Sequence, residues 1–240
     1  MSNPLLKNSV FQTPVRNAEV MTISGTINKS IILWVLLAVG AFYSWTHPSL
    51  IMPLMLPILL GGFALAVILS FKMKLSPFLS PIYAVCEGLI LGIISVYFEK
   101  LYPGIVVNAV LLTMCVLFCM LAAYKTNMLR ATPMFKKIVI LSTFAIAFAY
   151  LIDLLIGAFG ARSFNFLSDS FSLGSSGGII ISLIIVVIAS LNLIIDFDLI
   201  ERGAQYGVPK YMEWYSSFAL MVTLVWLYLE TLRFLSKTKN

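Results

Sequence analysis

Charged residues are scarce in this chain. Only 11% of its 240 residues are Asp, Glu, Lys or Arg, while 60% are hydrophobic and the mean hydropathy is +1.00. A soluble domain typically has about 25% charged and about 45–50% apolar residues. The chain cannot cover a globular surface with polar groups, so its composition predicts an all-α integral membrane protein or a membrane barrel, and the lengths of its apolar runs decide between them.

The residue types that serve most hydrolytic, redox and metal centres are also few. There is one histidine, His47, and the three cysteines, Cys86, Cys115 and Cys119, all lie in apolar runs. An odd set in apolar sequence argues against a disulfide framework, and we interpret these cysteines as small core residues. The sequence has no Ser/His/Asp set and no phosphate-binding glycine loop. We therefore expect no enzyme activity, no cofactor and no nucleic-acid partner.

Seven apolar runs follow a polar, mixed segment at 1–28. Each is close to the roughly 20 residues that a helix needs to cross a bilayer core, and at this length a lipid-facing span satisfies its backbone as a helix. The sequence predicts seven transmembrane helices in a single domain, 29–240, behind an N-terminal segment, 1–28. The predicted spans are 30–46, 50–71, 78–98, 104–124, 137–159, 177–202 and 211–234.

Proline and glycine mark the expected ends and irregularities of these helices. Ser76-Pro77 and Ser80-Pro81 both resemble helix starts, with Ser as the cap and Pro in the first turn. In the second run, Pro53 and Pro57 precede Gly61-Gly62. This pattern predicts either a kink in that helix or a close approach to a neighbour through the glycines.

The distribution of Lys and Arg predicts the orientation. With the N-terminus inside, eleven basic residues fall on the inner side and five on the outer side, which favours a cytoplasmic N-terminus. The C-terminal tail does not follow this distribution, because seven spans place its basic residues Arg233, Lys237 and Lys239 on the outer side. Six spans and one re-entrant segment would bring the tail inside, but no run is too short to cross, so we favour seven.

Five acidic residues lie within the predicted helices, where no Lys or Arg lies deep: Glu87, Asp153, Asp196, Asp198 and Glu230. An acid inside a membrane helix is costly and is a functional-site hypothesis by default. At about 1.5 Å per residue, Asp196 is about 9 Å from the inner end of the sixth helix and Glu87 is near the midplane. Asp153 and Glu230 are near the outer side. This ladder of carboxylates is typical of a cation or proton path.

Asp196 and Glu87 are the deepest candidates. Asn192 precedes Asp196 by one turn on the same face, which makes a polar stripe in an apolar helix. Glu87 directly precedes Gly88, where a close backbone approach would let a neighbouring helix satisfy the carboxylate instead.

The other three acids have structural alternatives. Asp198 and Arg202 are four residues apart and Glu230 and Arg233 are three apart, so each pair can form an ion pair on one helix face. Asp153 can hydrogen-bond across helices without any role in a path. These alternatives stay open at the level of sequence.

Several segments resemble one family. Ile195-Asp196-Phe197-Asp198-Leu199-Ile200 resembles the Asp-Thr-Gln-Leu-Ile pattern of the Bax inhibitor-1 superfamily, with Asp196 at the family's aspartate. The rest of the chain resembles the bacterial branch of that family, the YccA type. Residues 21–29 resemble its lead into the first helix, 83–92 its third helix, 103–113 the start of its fourth helix and 226–233 its last helix.

This resemblance implies seven helices, the C-terminal one central and wrapped by the other six. It also implies a pH-sensitive calcium leak gated by an aspartate pair between the sixth and seventh helices. Asp196 matches one aspartate, but Thr223 stands at the second position. Two carboxylates that share a proton titrate as a coupled pair, and Asp196 with Thr223 cannot. Either Asp198, Glu87 or Glu230 supplies the missing charge, or this chain gates in another way.

The leading hypothesis is therefore a cation leak, with Ca²⁺ as the transported ion and no resident cofactor. Its expected location is the cell's inner (plasma) membrane, with the bilayer as its surroundings. The alternative is a non-transporting regulator that binds membrane proteases or other integral membrane proteins, since the family contains a protease modulator. The candidate residues are Asp196 as the chief site and metal ligand, Asp198 and Glu87 as helpers, and Asp153, Glu230, Thr223 and Asn192 along the path.

Overall fold

The computed structural model describes residues 19–158 and 176–239. The described chain forms seven helical spans long and apolar enough to cross a membrane, which confirms the predicted fold class. The second span consists of α2 and α3 joined by the turn Met52–Leu54. The helices are α1 (Ile23–Thr46), α2 (Pro48–Ile51), α3 (Met55–Phe71), α4 (Ser76–Leu101), α5 (Ile105–Lys125), α6 (Pro133–Ala158), α7 (Ser176–Gln205) and α8 (Tyr211–Thr238).

Helix α8 occupies the centre of the bundle. It packs against α1, α4, α5 and α7, and α6 reaches it through Tyr150. Each of the three groups of buried apolar side chains includes α8 residues, such as Met221, Leu224 and Leu232. The central position implied by the resemblance is therefore present. The wrapping is unequal, because α3 packs mainly on α4 and lies at the periphery.

Helix α8 crosses the whole bundle. Its start lies beside the N-terminal residues, where Lys210 N–H donates to Glu19 O (2.9 Å). Beyond its other end, Lys239 Nζ donates to Pro103 O in the turn between α4 and α5 (3.2 Å). The C-terminus therefore lies on the opposite side of the bundle from residue 19, as seven spans require. We call the side that holds residue 19 the N-terminal side.

Two basic residues of the tail, Arg233 and Lys237, lie within α8 and not in a loop. Lys237 Nζ is buried and donates to Ser182 Oγ on α7 (2.8 Å), and Arg233 Nη1 donates to Glu230 Oε1 (2.9 Å). Both side chains bind partners within the helical bundle. Their presence on the outer side therefore does not conflict with the excess of basic residues on the N-terminal side.

Helix α1 begins at Ile23, earlier than the predicted residue 30. Thr22 caps it, with Oγ1 accepting a hydrogen bond from Gly25 N–H (2.9 Å). Met21 N–H donates to Val208 O (2.8 Å), so the residues before the cap pair with the turn between α7 and α8. The apolar run marked only part of the helix, whereas capping and pairing determine where the helix begins.

Proline interrupts the second span, as one of the two alternatives predicted. The chain forms a 3₁₀ turn, Met52–Leu54, around Pro53 before α3 begins. The other alternative, close packing through Gly61 and Gly62, is wrong, because no atom lies within 4 Å of a Cβ built at either residue. The predicted helix start at Ser80-Pro81 is also wrong, because Pro81 lies inside α4, which begins at Ser76.

The cysteines do not all lie in the core. Cys115 and Cys119 are exposed on α5, and Cys86 is half-buried on α4. Helix α5 buries only one narrow face, which includes Ile105 and Ala109. The hydrocarbon of the bilayer accepts a small apolar side chain as readily as a core does, so an apolar run could not distinguish the two settings.

Helices α1 and α4 make the closest backbone approach of the described bundle, and glycine permits it. A Cβ at Gly88 would lie 2.2 Å from Leu37 O, and one at Gly92 would lie 2.3 Å from Ala41 O. Small residues at a helix interface let the two backbones come together, which is the main source of packing between helices in lipid. The glycines near Glu87 therefore serve the α1–α4 contact.

We expect Gly88→Ala to destabilise the protein and Gly61→Ala to leave it unchanged or slightly stabilised. The new methyl group at position 88 overlaps α1, and overpacking typically costs about 1–3 kcal/mol. At position 61 the site is open, and Ala favours a helix over Gly by about 0.5–1 kcal/mol. Thermal unfolding of the two variants in one detergent measures this; equal shifts would contradict the close approach.

Candidate ion-binding site between the last three helices

Asp196 is a buried acid without a cationic partner. It lies in α7, is 9% exposed, and its side chain faces Thr223 on α8, whose Oγ1 donates to Ala219 O (3.2 Å). Its Oδ2 atom is buried and has no hydrogen-bond partner. Among the residues that the structure describes, no Lys or Arg forms an ion pair with it. One carboxylate oxygen is therefore free to bind a proton or a cation.

Helices α7 and α8 face each other in a regular antiparallel register. Lys237 contacts Ser182, and Thr223 faces Asp196, so a step of fourteen residues along one helix matches a step of fourteen along the other. Thr223, Glu230 and Lys237 recur every seven residues and lie on one stripe of α8, about 10 Å apart. We call this polar stripe, with the α6 and α7 side chains facing it, the α7–α8 seam.

Asp196 lies nearer to the C-terminal end of α7 than to its start. Helix α7 continues to Gln205, about 14 Å beyond Asp196, and Thr223 is close to the middle of α8. The predicted distance of about 9 Å assumed that the sixth span ended at residue 202. The helix extends three residues further, and the depth of Asp196 in a bilayer stays a prediction.

Asn192 continues the polar stripe of α7 by one turn. Its Nδ2 donates to Thr143 Oγ1 on α6 (2.9 Å) and to Ile188 O (2.9 Å). The stripe of Asn192 and Asp196 therefore faces the neighbouring helices, and polar groups of α6 continue the seam away from the N-terminal side.

Glu230 is fully partnered. It is 1% exposed, and Oε1 accepts hydrogen bonds from Tyr150 OH (2.8 Å), Trp226 Nε1 (3.0 Å) and Arg233 Nη1 (2.9 Å). The ion pair left open by the sequence is present within α8, and the hydrogen bond from Tyr150 joins this cluster to α6. The side chain of Asp153 lies outside the described residues.

Asp198 is also partnered, and it is held from two helices. Arg202 Nε lies 2.9 Å from Oδ1, and Lys136 on α6 forms an ion pair with Oδ2. Glu87 is half-buried on α4 and interacts with Tyr83, one turn earlier. Across the described ranges, Asp198, Glu87 and Glu230 form no contact with Asp196. The residue that faces Asp196 from α8 is Thr223.

The seam contains no fixed metal cage. Within the described residues, no three His, Cys, Asp or Glu side chains come together. Ca²⁺ usually takes six to eight oxygen ligands. A single carboxylate at Asp196 therefore fits brief binding of a passing ion, and the geometry does not support a resident calcium ion there.

Sequence reasoning gave no role to Glu213, which is 1% exposed at the start of α8. Oε1 accepts hydrogen bonds from Thr22 N–H (2.9 Å) and Thr22 Oγ1 (3.0 Å), and Lys29 Nζ lies 2.5 Å from Oε2, outside hydrogen-bonding orientation. Gly25 leaves the space, since a Cβ there would lie 2.1 Å from Oε1. Thr22, Gly25 and Lys29 all lie in the segment 21–29, which resembles the family's lead into the first helix. That resemblance was the sequence feature that could have pointed to the Glu213 contacts.

A cavity of about 1100 Å³ lies on the N-terminal side between α1, α5, α7 and α8. Its polar lining includes Thr26, Ser30 and Tyr124. Its lining includes Phe197 and Leu224, the residues that directly follow Asp196 and Thr223 in the sequence. Asp196 itself does not line the cavity. The lining residues that are sequence neighbours of the α7–α8 seam are therefore apolar.

These features define a multi-pass α-helical membrane protein with a buried carboxylate between its last two helices. A family model described as Bax inhibitor 1 like matches residues 3–240. The chain belongs to the Bax inhibitor-1 family, which confirms the resemblance. Comparisons with curated proteins and with solved structures give no match.

The buried Glu213 provides a test of the packing at the N-terminal side. We expect Lys29→Met to lower the free energy of unfolding by about 3–5 kcal/mol, because it leaves a buried carboxylate without its cation. The double variant Lys29→Met/Glu213→Gln removes that charge and should lose less. Thermal unfolding of wild type, both single variants and the double variant measures the coupling; additive effects would show that the pair is not coupled.

Proposed function

We propose that this protein is a pH-sensitive cation leak, with Ca²⁺ as its ion and Asp196 as the group that binds and gates it. One observation carries the proposal. Of the four buried acids in the described ranges, three form ion pairs with Lys or Arg, and Asp196 alone does not. The free Oδ2 atom gives a proton and a cation the same binding point.

The energetics favour an exchange at this carboxylate. An ionised side chain at the centre of a membrane helix costs about 2.5–3.5 kcal/mol or more. A bound proton or a bound cation removes that cost, so the two compete for one oxygen. Acidification therefore displaces the cation, and permeation depends on pH.

The surroundings of Asp196 support a path in both directions. Towards the N-terminal side, Asp198 with its partners Lys136 and Arg202 lies two residues further along α7. Towards the other side, Asn192 and Thr143 are followed by the Glu230 cluster. The seam is closed in this structure, because Arg233 forms an ion pair with Glu230 and the apolar side chains of Phe197 and Leu224 are buried. Opening requires α6 to separate from α7 and α8.

We also propose that the N-terminal side faces the cytoplasm in the inner (plasma) membrane. The support is the excess of Lys and Arg on that side, together with the use of Arg233 and Lys237 inside the bundle. The division into segment 1–28 and domain 29–240 stays a prediction, and its boundary falls inside α1, which begins at Ile23.

A flux assay tests the role of Asp196. In liposomes containing purified protein and a Ca²⁺-sensitive dye, we expect wild-type flux to change with pH. Asp196→Asn keeps the size and polarity of the side chain but cannot be protonated, so its flux should lose that pH dependence.

Glu230→Gln is the matched control, since it alters another buried acid that already has three hydrogen-bond donors. It should keep the pH dependence even if the total flux changes. A pH profile of Asp196→Asn identical to that of wild type would remove Asp196 from the mechanism. An absence of flux at every pH from folded protein would instead favour the regulator of other membrane proteins.

Thr223→Asp tests the geometry of the pair. The side chain of residue 223 faces Asp196, so the variant places two carboxylates together. Coupled carboxylates release their protons in two steps. We expect flux to vary over a wider pH range than in wild type, measured in the same liposomes. An unchanged profile would show that residue 223 does not face the gate.

A further inference from the structure

Helices α1 and α5 leave a gap between them. In the described bundle they do not pack closely on each other, and α8 forms the floor of the gap. The large cavity on the N-terminal side and a second cavity of about 310 Å³ both lie along it, and both are lined by Trp34 and Leu224. We call the larger cavity and its opening between the two helices the α1–α5 crevice.

The walls of the crevice are apolar and open to the bilayer. Ile27 and Ile31 on α1 are 53% and 56% exposed, and Phe118 and Leu121 on α5 are 64% and 42% exposed. Side chains of this kind lie against hydrocarbon in a membrane-spanning bundle. The crevice is therefore accessible sideways, from the lipid.

Two basic side chains at the mouth of the crevice have no ion-pair partner. Lys125 and Arg130 line it, are exposed, and form no ion pair with any described residue. Two acids share this lining: Asp198 pairs with Lys136 and Arg202, and Glu201 accepts hydrogen bonds from the uncharged groups Tyr124 OH and Gln205 Nε2. The mouth thus has two basic side chains available to an anion.

The dimensions of the crevice match one leaflet. From Ile23 to Trp34, both in its lining, α1 rises about 16 Å at 1.5 Å per residue. Half of a hydrocarbon core of about 30 Å has the same length. An acyl chain that enters at the headgroup level would therefore end near Trp34, where the crevice meets the second cavity.

We propose that the α1–α5 crevice binds an anionic phospholipid from the leaflet on the N-terminal side. The phosphate group binds Lys125 and Arg130, and one acyl chain lies between α1 and α5. Arg and Lys clusters beside membrane helices recognise anionic headgroups in this way. The site is separate from Asp196, which does not line it, and it does not depend on ion flux.

A cation path through the same gap fits the observations less well. Lys125 and Arg130 would repel cations at the entrance, and the second cavity is lined almost entirely by apolar side chains, among them Leu37, Phe42 and Val110. A lipid satisfies both features, since its headgroup is anionic and its chain is apolar.

Native mass spectrometry of the full-length protein tests the site. The protein is released from micelles that contain either phosphatidylglycerol or phosphatidylcholine with the same acyl chains. We expect wild type to retain phosphatidylglycerol preferentially. Lys125→Gln/Arg130→Gln should weaken that binding roughly 25-fold, since each basic residue near an anionic lipid contributes a factor of about five.

Lys72→Gln/Lys74→Gln is the matched control, because these two residues are exposed, lie near the start of α8 on the same side and do not line the crevice. It should retain phosphatidylglycerol like wild type. Equal losses in both double variants would mean general surface attraction, and full retention in Lys125→Gln/Arg130→Gln would mean that the basic mouth binds no headgroup; either overturns the proposal.

Two further experiments distinguish the contribution of the lipid headgroup to binding from that of the acyl chain. Ile27→Trp narrows the apolar part of the crevice without changing its charge, and it should reduce phosphatidylglycerol binding while the thermal stability of the protein stays near that of wild type. Glycerol phosphate, which carries the anion without chains, should not displace the lipid at equal concentration. Displacement by glycerol phosphate, or full retention by a stably folded Ile27→Trp variant, would overturn the acyl-chain part.

Discussion

The cost of holding a carboxylate inside a hydrocarbon-bounded bundle organises this structure. Unpaired charges in low dielectric are costly, so a buried acid needs a cation, a proton or several donors nearby. Most of the buried acids described form ion pairs within the protein, and Lys29 and Lys136 reach their acids from another helix. The pairs are Glu213 with Lys29, Asp198 with Lys136 and Arg202, and Glu230 with Arg233.

Two of these groups lie on either side of Asp196 along the axis of the bundle. Lys29 and Glu213 fasten α1 to α8 at the N-terminal side, and the Glu230 cluster fastens α8 to α6 nearer the other side. Asp196 lies between these two levels, opposite a hydroxyl group. Because these contacts hold the helices together on both sides of Asp196, a proton or cation can bind to Asp196 or leave it without loss of the fold. Stability and proposed function are thus assigned to different acids of the same type.

The sequence predicted the number of helices because each span is a separate run of hydrocarbon length, a property that does not depend on neighbours. It also placed Arg202 and Arg233 beside their acids, since those pairs lie within one helix. It did not find Lys136 or Tyr150, which reach their partners from α6 across more than sixty positions of chain. The start of α1 was missed for the same reason: residues 19–21 pair with the turn between α7 and α8, which is distant in sequence.

The register of α7 and α8 explains what the replacement of an aspartate by Thr223 changes. The contact between Ser182 and Lys237 has the same register as that between Asp196 and Thr223, so the helices meet as regular antiparallel partners. Residue 223 therefore lies where a partner of Asp196 should lie, and the difference is chemical, not geometric. A hydroxyl can hydrogen-bond to a carboxylate but does not ionise near neutral pH. In the proposed mechanism, Asp196 would therefore titrate in one step instead of sharing a proton with a second carboxylate, so the proposed gate would have one charge to neutralise.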